Sequence, residues 1–377
     1  MPNWRIITGL FLAALALTVS ATAQEEEVAA PEIVPLPEGR EYILTAAKPD
    51  RMYVIDIAER RIEREYTIPG PIVAPGTFFP SPDGKTAYML TNHDRSVVGI
   101  DLDTGETVFW ADLSQDEDVR VKNFGLAISP DGRELFAYEA PTRLHDDRYE
   151  IMDTRISVYE TGAGLDAAPV RQFPAPRRIG VMTMSRDGSA LYAFGWDFYR
   201  IDPQTGAVET AVPMRNWQRE NMTPPDALTF WDLSEQSGIY AANYVAMRTD
   251  LPPEDINSFV FGMLTADLQS GEAGTIDIAI EPQILFTSVL SPDRKFAYST
   301  YLNLLKLDMT EKRQVASVEL DHTYYFAQVS GDGSEVYLGG NLCDIAIYSA
   351  ETLEKTGQVL LPECHEMGAA PLRMFRR

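Results

Sequence analysis

The sequence predicts an all-β fold, a seven-bladed β-propeller closed by a C-terminal strand that completes the first blade. Three observations carry this. Two turn motifs recur along the chain, their spacing suits four short strands per repeat, and the first repeat lacks a strand that the C-terminus can supply. The first motif reads Ser81-Pro82-Asp83-Gly84, Ser129-Pro130-Asp131-Gly132, Ser185-Arg186-Asp187-Gly188, Ser291-Pro292-Asp293-Arg294 and Ser330-Gly331-Asp332-Gly333. The second reads Asp101-Leu102-Asp103-Thr104-Gly105, Asp202-Pro203-Gln204-Thr205-Gly206 and Asp267-Leu268-Gln269-Ser270-Gly271, with looser copies starting at Asp56, Tyr159, Asp308 and Tyr348. The starts of these seven copies are separated by 45, 58, 43, 65, 41 and 40 residues.

Residues 1–23 read as a targeting segment. Arg5 is the only charge, an apolar run extends from Ile6 to Val19, and Ala21-Thr22-Ala23 is a small-residue cleavage site. The run is shorter than the roughly 20 residues that span a bilayer, so an exported chain without a membrane span is expected. Residues 24–38, with Glu25-Glu26-Glu27 and three prolines, read as a flexible lead-in. Residues 39–377 are left for the propeller. Its first blade offers strand B at Glu41–Ala46, C at Arg51–Ile57 and D at Ile62–Ile68, and Gly368–Arg376 is expected to provide A. Blade three shows the full pattern: Leu126-Ala127-Ile128, Glu134–Tyr138, Arg155–Tyr159 and Val170–Phe173 alternate as half-buried strands do.

In this scheme Ser-Pro-Asp-Gly joins A to B, and Asp-x-x-Thr-Gly joins C to D. Proline second and glycine fourth suit a type I turn, and the aspartate can accept from nearby backbone N–H groups. The turns are thereby explained structurally and need no chemistry. They are tight and share one face of the ring. Every long insertion falls on the other face: Pro141–Thr154 and Met247–Ser258 between B and C, Ser114–Lys122 and Met214–Asp226 between D and A. Long loops on one face of a rigid scaffold are where binding surfaces are built.

The chain carries 32 basic and 56 acidic residues, a net charge of −24. Such a surface repels phosphate backbones, which argues against nucleic-acid binding; it suits solubility or a basic partner. Four histidines, His93, His145, His322 and His365, show no metal-ligand spacing. No serine lies in Gly-x-Ser-x-Gly. Gly162-Ala163-Gly164-Leu165-Asp166-Ala167 mimics a dinucleotide fingerprint but opens no helix. Asp116-Glu117-Asp118 and Asp146-Asp147 read as solvated loop charge. No catalytic or metal-binding residue is therefore assigned. Cys343 and Cys364 can pair in an oxidising compartment, and no Cys-x-x-Cys-His haem motif is present.

Two loop-face blocks are richer. Arg215-Asn216-Trp217-Gln218-Arg219 leads through Asp226 to Phe230-Trp231, and the second block is Asp321-His322-Thr323-Tyr324-Tyr325-Phe326. Arginine and aromatic residues are enriched at protein interfaces, but Trp231 and Tyr325 can equally pack at the start of an A strand. The candidate partner or pocket residues are Asn92, His93, Asn216, Trp217, Asp226, Asp321, His322 and Tyr324, with Trp217 and Tyr324 the expected anchors. For His93 and His322 the plainer alternative is a hydrogen-bonded loop histidine.

Over nearly its whole length after the targeting segment the chain resembles the β subunit of quinohemoprotein amine dehydrogenase. The matching stretches are Thr91-Asn92-His93, Gly99–Thr104, Leu126–Gly132, Arg215-Asn216-Trp217, Pro225–Trp231, Leu320–Tyr325 and Tyr337–Gly340. The Ser-Pro-Asp-Gly turns are common to many propellers, whereas Arg-Asn-Trp and Asp-His-Thr-Tyr-Tyr are far more specific. The resemblance implies a periplasmic, seven-bladed subunit without a cofactor of its own. It would pack against a small subunit bearing cysteine tryptophylquinone, beside a larger dihaem cytochrome c subunit. The assembly would oxidise primary amines to aldehydes and pass electrons through haem. The family's catalytic residues lie on another chain, so none transfers to this one. Two other readings compete: a stand-alone periplasmic propeller that binds a ligand or protein on the same face, and a lactonase-type hydrolase, for which no acid, base or metal set is found.

Overall fold

The computed structural model describes residues 34–70, 77–114, 116–228 and 231–377. The targeting segment and residues 24–33 of the lead-in lie outside these residues. From Pro35 onward the chain is all-β, with only short 3-10 turns besides the strands among the described residues. Seven antiparallel sheets form the blades of a ring. Their B and C strands are almost wholly buried, as in Glu335–Gly339 and Asp344–Ser349, because neighbouring blades cover both faces. The outer D strands alternate instead; Arg313–Glu319 exposes every second residue.

Blade one is completed from the C-terminus. Arg373–Arg376 pairs antiparallel with Glu41–Ala47, with Leu44 opposite Arg373 and Glu41 opposite Arg376. The strand is shorter than the expected Gly368–Arg376. Gly368 and Ala369 have positive φ, and the segment from there to Leu372 turns the chain inward before pairing begins. Apolar contacts hold it: Met367, Ala370 and Leu372 are fully buried, and Phe375 packs 5.4 Å from the Tyr42 ring. Arg377 donates to both carboxylate oxygens of Asp103, in the C–D turn of blade two. The Leu36 N–H reaches the same carboxylate at 2.9 Å, and Leu36 is buried. The end of the lead-in is therefore anchored rather than free. Cys343 and Cys364 are joined in a disulfide, Cα atoms 4.9 Å apart, linking the B–C turn of blade seven to the segment that feeds the closing strand.

Arg373 begins the closing strand at the inner wall of the ring and is 5% exposed. It lies 2.9 Å from Asp232 and 3.2 Å from Glu235, both on the stretch between strands A and B of blade five. Burial works against its charge, but the two carboxylates outweigh that and raise its basicity. The last strand is thus tied to another part of the ring as well as to its neighbour.

The Ser-Pro-Asp-Gly turns form as read. Ser81 Oγ donates to Asp83 Oδ1 at 2.6 Å and accepts from the Thr86 N–H at 2.9 Å. The same serine-to-aspartate bond recurs at Ser129, Ser185, Ser291 and Ser330, at 2.6–2.7 Å. Gly84 has φ +67°, and a Cβ there would come within 2.9 Å of the Arg376 carbonyl, so the turn needs glycine twice over. Arg294 takes the equivalent position in blade six with φ +62°. Its guanidinium reaches the Ser237 carbonyl (3.0 Å) and Asp267 (2.8 Å).

Two long insertions are not simple loops. Strand B of blade three runs on to Leu144, giving Glu134–Leu144. Its outer half pairs with Tyr149–Ile151 on one side and Val119–Lys122 on the other. The stretches read as Ser114–Lys122 and Pro141–Thr154 loops therefore build an added three-stranded flap. Val119 and Val121 face inward while Arg120 and Lys122 face outward, a period-two signal four residues long. In blade five, strands Ile239–Met247 and Phe259–Asp267 likewise extend past the ring. Its A strand shrinks to Asp226–Ala227, since Pro224 and Pro225 immediately before it cannot donate to the ladder.

Two outcomes follow. Deleting residues 368–377 should leave a protein that unfolds at lower temperature and aggregates, and Arg373→Met should cost about 3 kcal/mol after allowing for partly solvated partners. Thermal unfolding with light scattering checks both, and a truncated chain melting like the intact one would dismiss this role of the closing strand. The second concerns acid. Hydrogen bonds from Ser129, Ser291 and Ser330 lower the Asp131, Asp293 and Asp332 carboxyls, and the Ser189 N–H with Ser185 lowers Asp187 to about 2. These folded-state values lie below the unfolded ones. The stability they contribute is complete above the ordinary aspartate range and is lost as pH falls through the lowered values. Replacing all four with asparagine should flatten the acid limb of a stability-versus-pH curve below about pH 4. An unaltered limb would show that other carboxylates set it.

Candidate binding face

Two large cavities open on the face carrying the B–C and D–A connections. The first, about 880 Å³, is the mouth of the central channel between blades three, four and five. Tyr138, Phe194, Ile179 and Met214 give it apolar walls, and Arg177, Arg178 and Arg215 line it as well. Below it the channel closes to a space of about 10 Å³ bordered by Trp231, Asp232 and Arg373. Beyond that constriction a separate cavity of about 430 Å³ opens among the Ser-Pro-Asp-Gly turns. Asp232 and Arg373 of the buried ion pair line both of these lower spaces.

The second loop-face cavity is an apolar groove of about 660 Å³ between blades five and six, sharing Asp226 and Ala227 with the first. Phe259 and Phe261 stack on one wall, and Phe286 stacks on Tyr301 and Tyr325 on the other. Ile256, Phe259 and Ile284 are exposed along it, Ile284 at 65%. Asn243 lies in its wall. Its Oδ1 accepts from Ser288 at 2.6 Å, while its buried amide nitrogen has no partner.

The residues singled out in the sequence fall in three separate places. Asn92 and His93 sit in the B–C turn of blade two, where Asn92, His93 and Asp94 all have positive φ. Asn92 is tied to Ser96 and Arg95, and the His93 side chain is exposed. Asn216 is exposed, but Trp217 turns inward, its ring 5.2 Å from Tyr244 and edge-on to it. Arg219 covers Trp217 and grips Asp277 through two hydrogen bonds of 2.7 and 2.6 Å, lowering that carboxyl, which also accepts from Tyr244. Asp226 is exposed and lines both cavities.

At the junction of blades six and seven, Asp321 accepts from Lys355 at 2.8 Å. His322 bridges the Thr323 carbonyl and Asp344, each at 2.9 Å. Tyr324 is fully buried and donates to Asp344 at 2.6 Å. Burial and that carboxylate hold its phenol well above the usual range. Tyr324 is accordingly a core residue organising this junction, not an anchor offered to a partner. Trp231 packs edge-on against Phe326 at 4.3 Å, and Tyr325 joins the Phe286 stack, so both rings lie at the base of A strands.

Sequence reading named Arg215, Asp226 and Trp231 but missed Trp196, Arg177 and Arg178, which line the same cavity. Trp196 sits in the B–C turn of blade four, with the guanidinium carbons of Arg178 and Arg215 at 4.0 and 3.8 Å from its ring centre. The available signal was the adjacent pair Arg177-Arg178 in so acidic a chain. Among the described residues, no group of three His, Cys, Asp or Glu side chains could hold a metal ion. No helix among them is long and apolar enough to cross a membrane.

No family model matches the sequence, and no curated protein matches it. Solved structures resemble the fold. A functionally unknown protein from Desulfotomaculum acetoxidans aligns with a TM-score of 0.55 at 13% identity, over 89% of this chain and 99% of that one. The dihydro-heme d1 dehydrogenase NirN aligns at 0.53 and 12%, over 92% and 77%. Hydrazine synthase from Kuenenia stuttgartiensis aligns at 0.51 and 14%, over 88% and 98%. At such identities the likeness is one of fold: this chain is a seven-bladed β-propeller.

Proposed function

We propose that this chain is the propeller subunit of a periplasmic amine-oxidising assembly of the quinohemoprotein amine dehydrogenase type. It packs its loop face against a small quinone-bearing subunit, beside a dihaem cytochrome c subunit. The observation that carries this is the exposed apolar rim of the groove between blades five and six. Single exposed apolar residues are ordinary, whereas Ile256, Phe259 and Ile284 gathered along one groove mark a surface meant to be covered. The resemblance over Arg215–Trp217 and Leu320–Tyr325 supports the same reading, with a qualification. Trp217 and Tyr324 shape the fold beneath the face, and the contact falls to the groove residues. In such an assembly the quinone and haem of the partners supply the redox chemistry. This chain supplies position, shape and exclusion of water. A stand-alone ligand-binding propeller is the second reading, favoured by the size of the channel mouth.

Purification of the tagged full chain from its native host should bring down a haem-staining chain and a small quinone-staining chain. Recovery of a lone propeller, or amine turnover by the isolated chain, would refute the subunit reading. Within the assembly, Phe259→Ser with Ile284→Ser should weaken partner binding about tenfold or more while leaving the melting temperature nearly unchanged. Tyr324→Phe should do the reverse, costing about 1–2 kcal/mol of stability with assembly intact. The opposite pattern would move the interface to the blade six–seven junction.

A further inference from the structure

The chain has a net charge of −24, yet its channel mouth collects arginines. Arg177 is engaged by the Met152 carbonyl at 3.0 Å and by Asp153 at 3.7 Å. Arg178 and Arg215 are not. Among the described residues neither guanidinium has a carboxylate within 4 Å or a hydrogen-bond acceptor, and each is held only over Trp196. A guanidinium stacked on an indole keeps its in-plane N–H donors free, and those donors match a carboxylate in two-point geometry.

The arrangement is built by the Gly195-Trp196-Asp197 turn. A Cβ on Gly195 would stand 3.1 Å from the Arg177 carbonyl oxygen and 3.3 Å from the Arg178 carbonyl, so glycine lets the Arg177–Arg178 backbone pack against the turn. Arg178 has φ +69°, and its N–H is fixed on the Tyr138 hydroxyl at 3.0 Å. Asp197 is 7% exposed, and its Oδ1 accepts from the backbone N–H groups of Met214 (2.7 Å) and Arg215 (2.9 Å). It therefore positions Arg215 beside the indole without neutralising the side chain. Strained backbone, a close glycine contact and a buried carboxylate together hold two unpaired cations at an apolar cavity.

We propose that this mouth is a binding site for a carboxylate carried on an apolar body, with Arg178 and Arg215 receiving the carboxylate and the apolar channel wall receiving the body. A cavity of about 880 Å³ suits a small organic acid, and apolar walls with a few convergent polar groups are the usual make-up of such sites. Asp226, on the same cavity, disfavours a second negative group near it, which selects a monocarboxylate. The carboxylate can belong to a free small molecule or to an acidic residue among apolar ones in a partner polypeptide. The site does not depend on the subunit reading.

Titration calorimetry on the full chain tests this with two matched probe pairs. The first is 4-phenylbutanoate against 4-phenylbutanamide. The second is a capped peptide Leu-Phe-Glu-Leu against its glutamine counterpart. The acid should bind at least about tenfold tighter than its amide in one pair or both. That preference should vanish in Arg178→Ala/Arg215→Ala, shrink in Arg178→Lys/Arg215→Lys and fall with salt. Binding of the small acid alone identifies a ligand cavity, and tighter binding of the peptide identifies a partner's side chain. Both arginines are exposed, so unchanged circular dichroism should certify the variants. Equal binding of acid and amide, an acid preference that survives the double alanine variant, or no binding of either acid at millimolar concentration would each overturn the proposal.

Discussion

The pairing of the last strand with the first is the constraint on which the rest of the structure depends. A propeller is a circle of sheets, and every blade but one is closed by local hairpins. Blade one is held by residues more than three hundred positions apart in the chain. Without that pairing, the Glu41–Ala47 edge would present unsatisfied backbone groups to solvent or to other chains. The closure is reinforced at each level. Backbone pairing sets the register, Phe375 and Leu372 bury apolar area, Arg377 grips Asp103, and the disulfide steadies the approach.

Arg373 joins closure to the channel. It is the first residue of the closing strand, and with Asp232 and Glu235 it also lines the channel. The same contact that fastens the ring lines the channel between the two larger cavities. The loop-face cavity is the larger and has aromatic walls, while the other lies among tight turns. Buried ion pairs give little net stability on their own, because desolvation offsets attraction. Here the pair's further consequence is shape.

The loop face is built in the same economical way. Blades three and five extend strands already present, and the extensions stand on either side of blade four. The channel mouth between them is bordered largely by connections, and there Trp196 carries its two arginines. Next to it lies the apolar groove. A charged pocket and an oily groove meeting at Asp226 and Ala227 give the face two chemically distinct regions.

Much of this was legible in the sequence because turns are local. Ser-Pro-Asp-Gly and Asp-x-x-Thr-Gly form hydrogen bonds within five residues, so their presence sets blade number, strand order and the identity of the two faces. The missing A strand of blade one and the strand-like tail together implied closure. What the sequence could not decide were partnerships between distant segments. Trp217 and Tyr324 looked like surface anchors, because an aromatic residue in a loop reads the same whether it points out or in. Only the positions of Tyr244, Asp277 and Asp344 turned them inward. The flap on blade three depended on Val119–Lys122 meeting the far end of Glu134–Leu144. The Arg178–Trp196–Arg215 cluster depended on three separate connections converging at one mouth. Local hydrogen bonds determine the repeat; burial and convergence, which exist only once the ring has closed, determine the site.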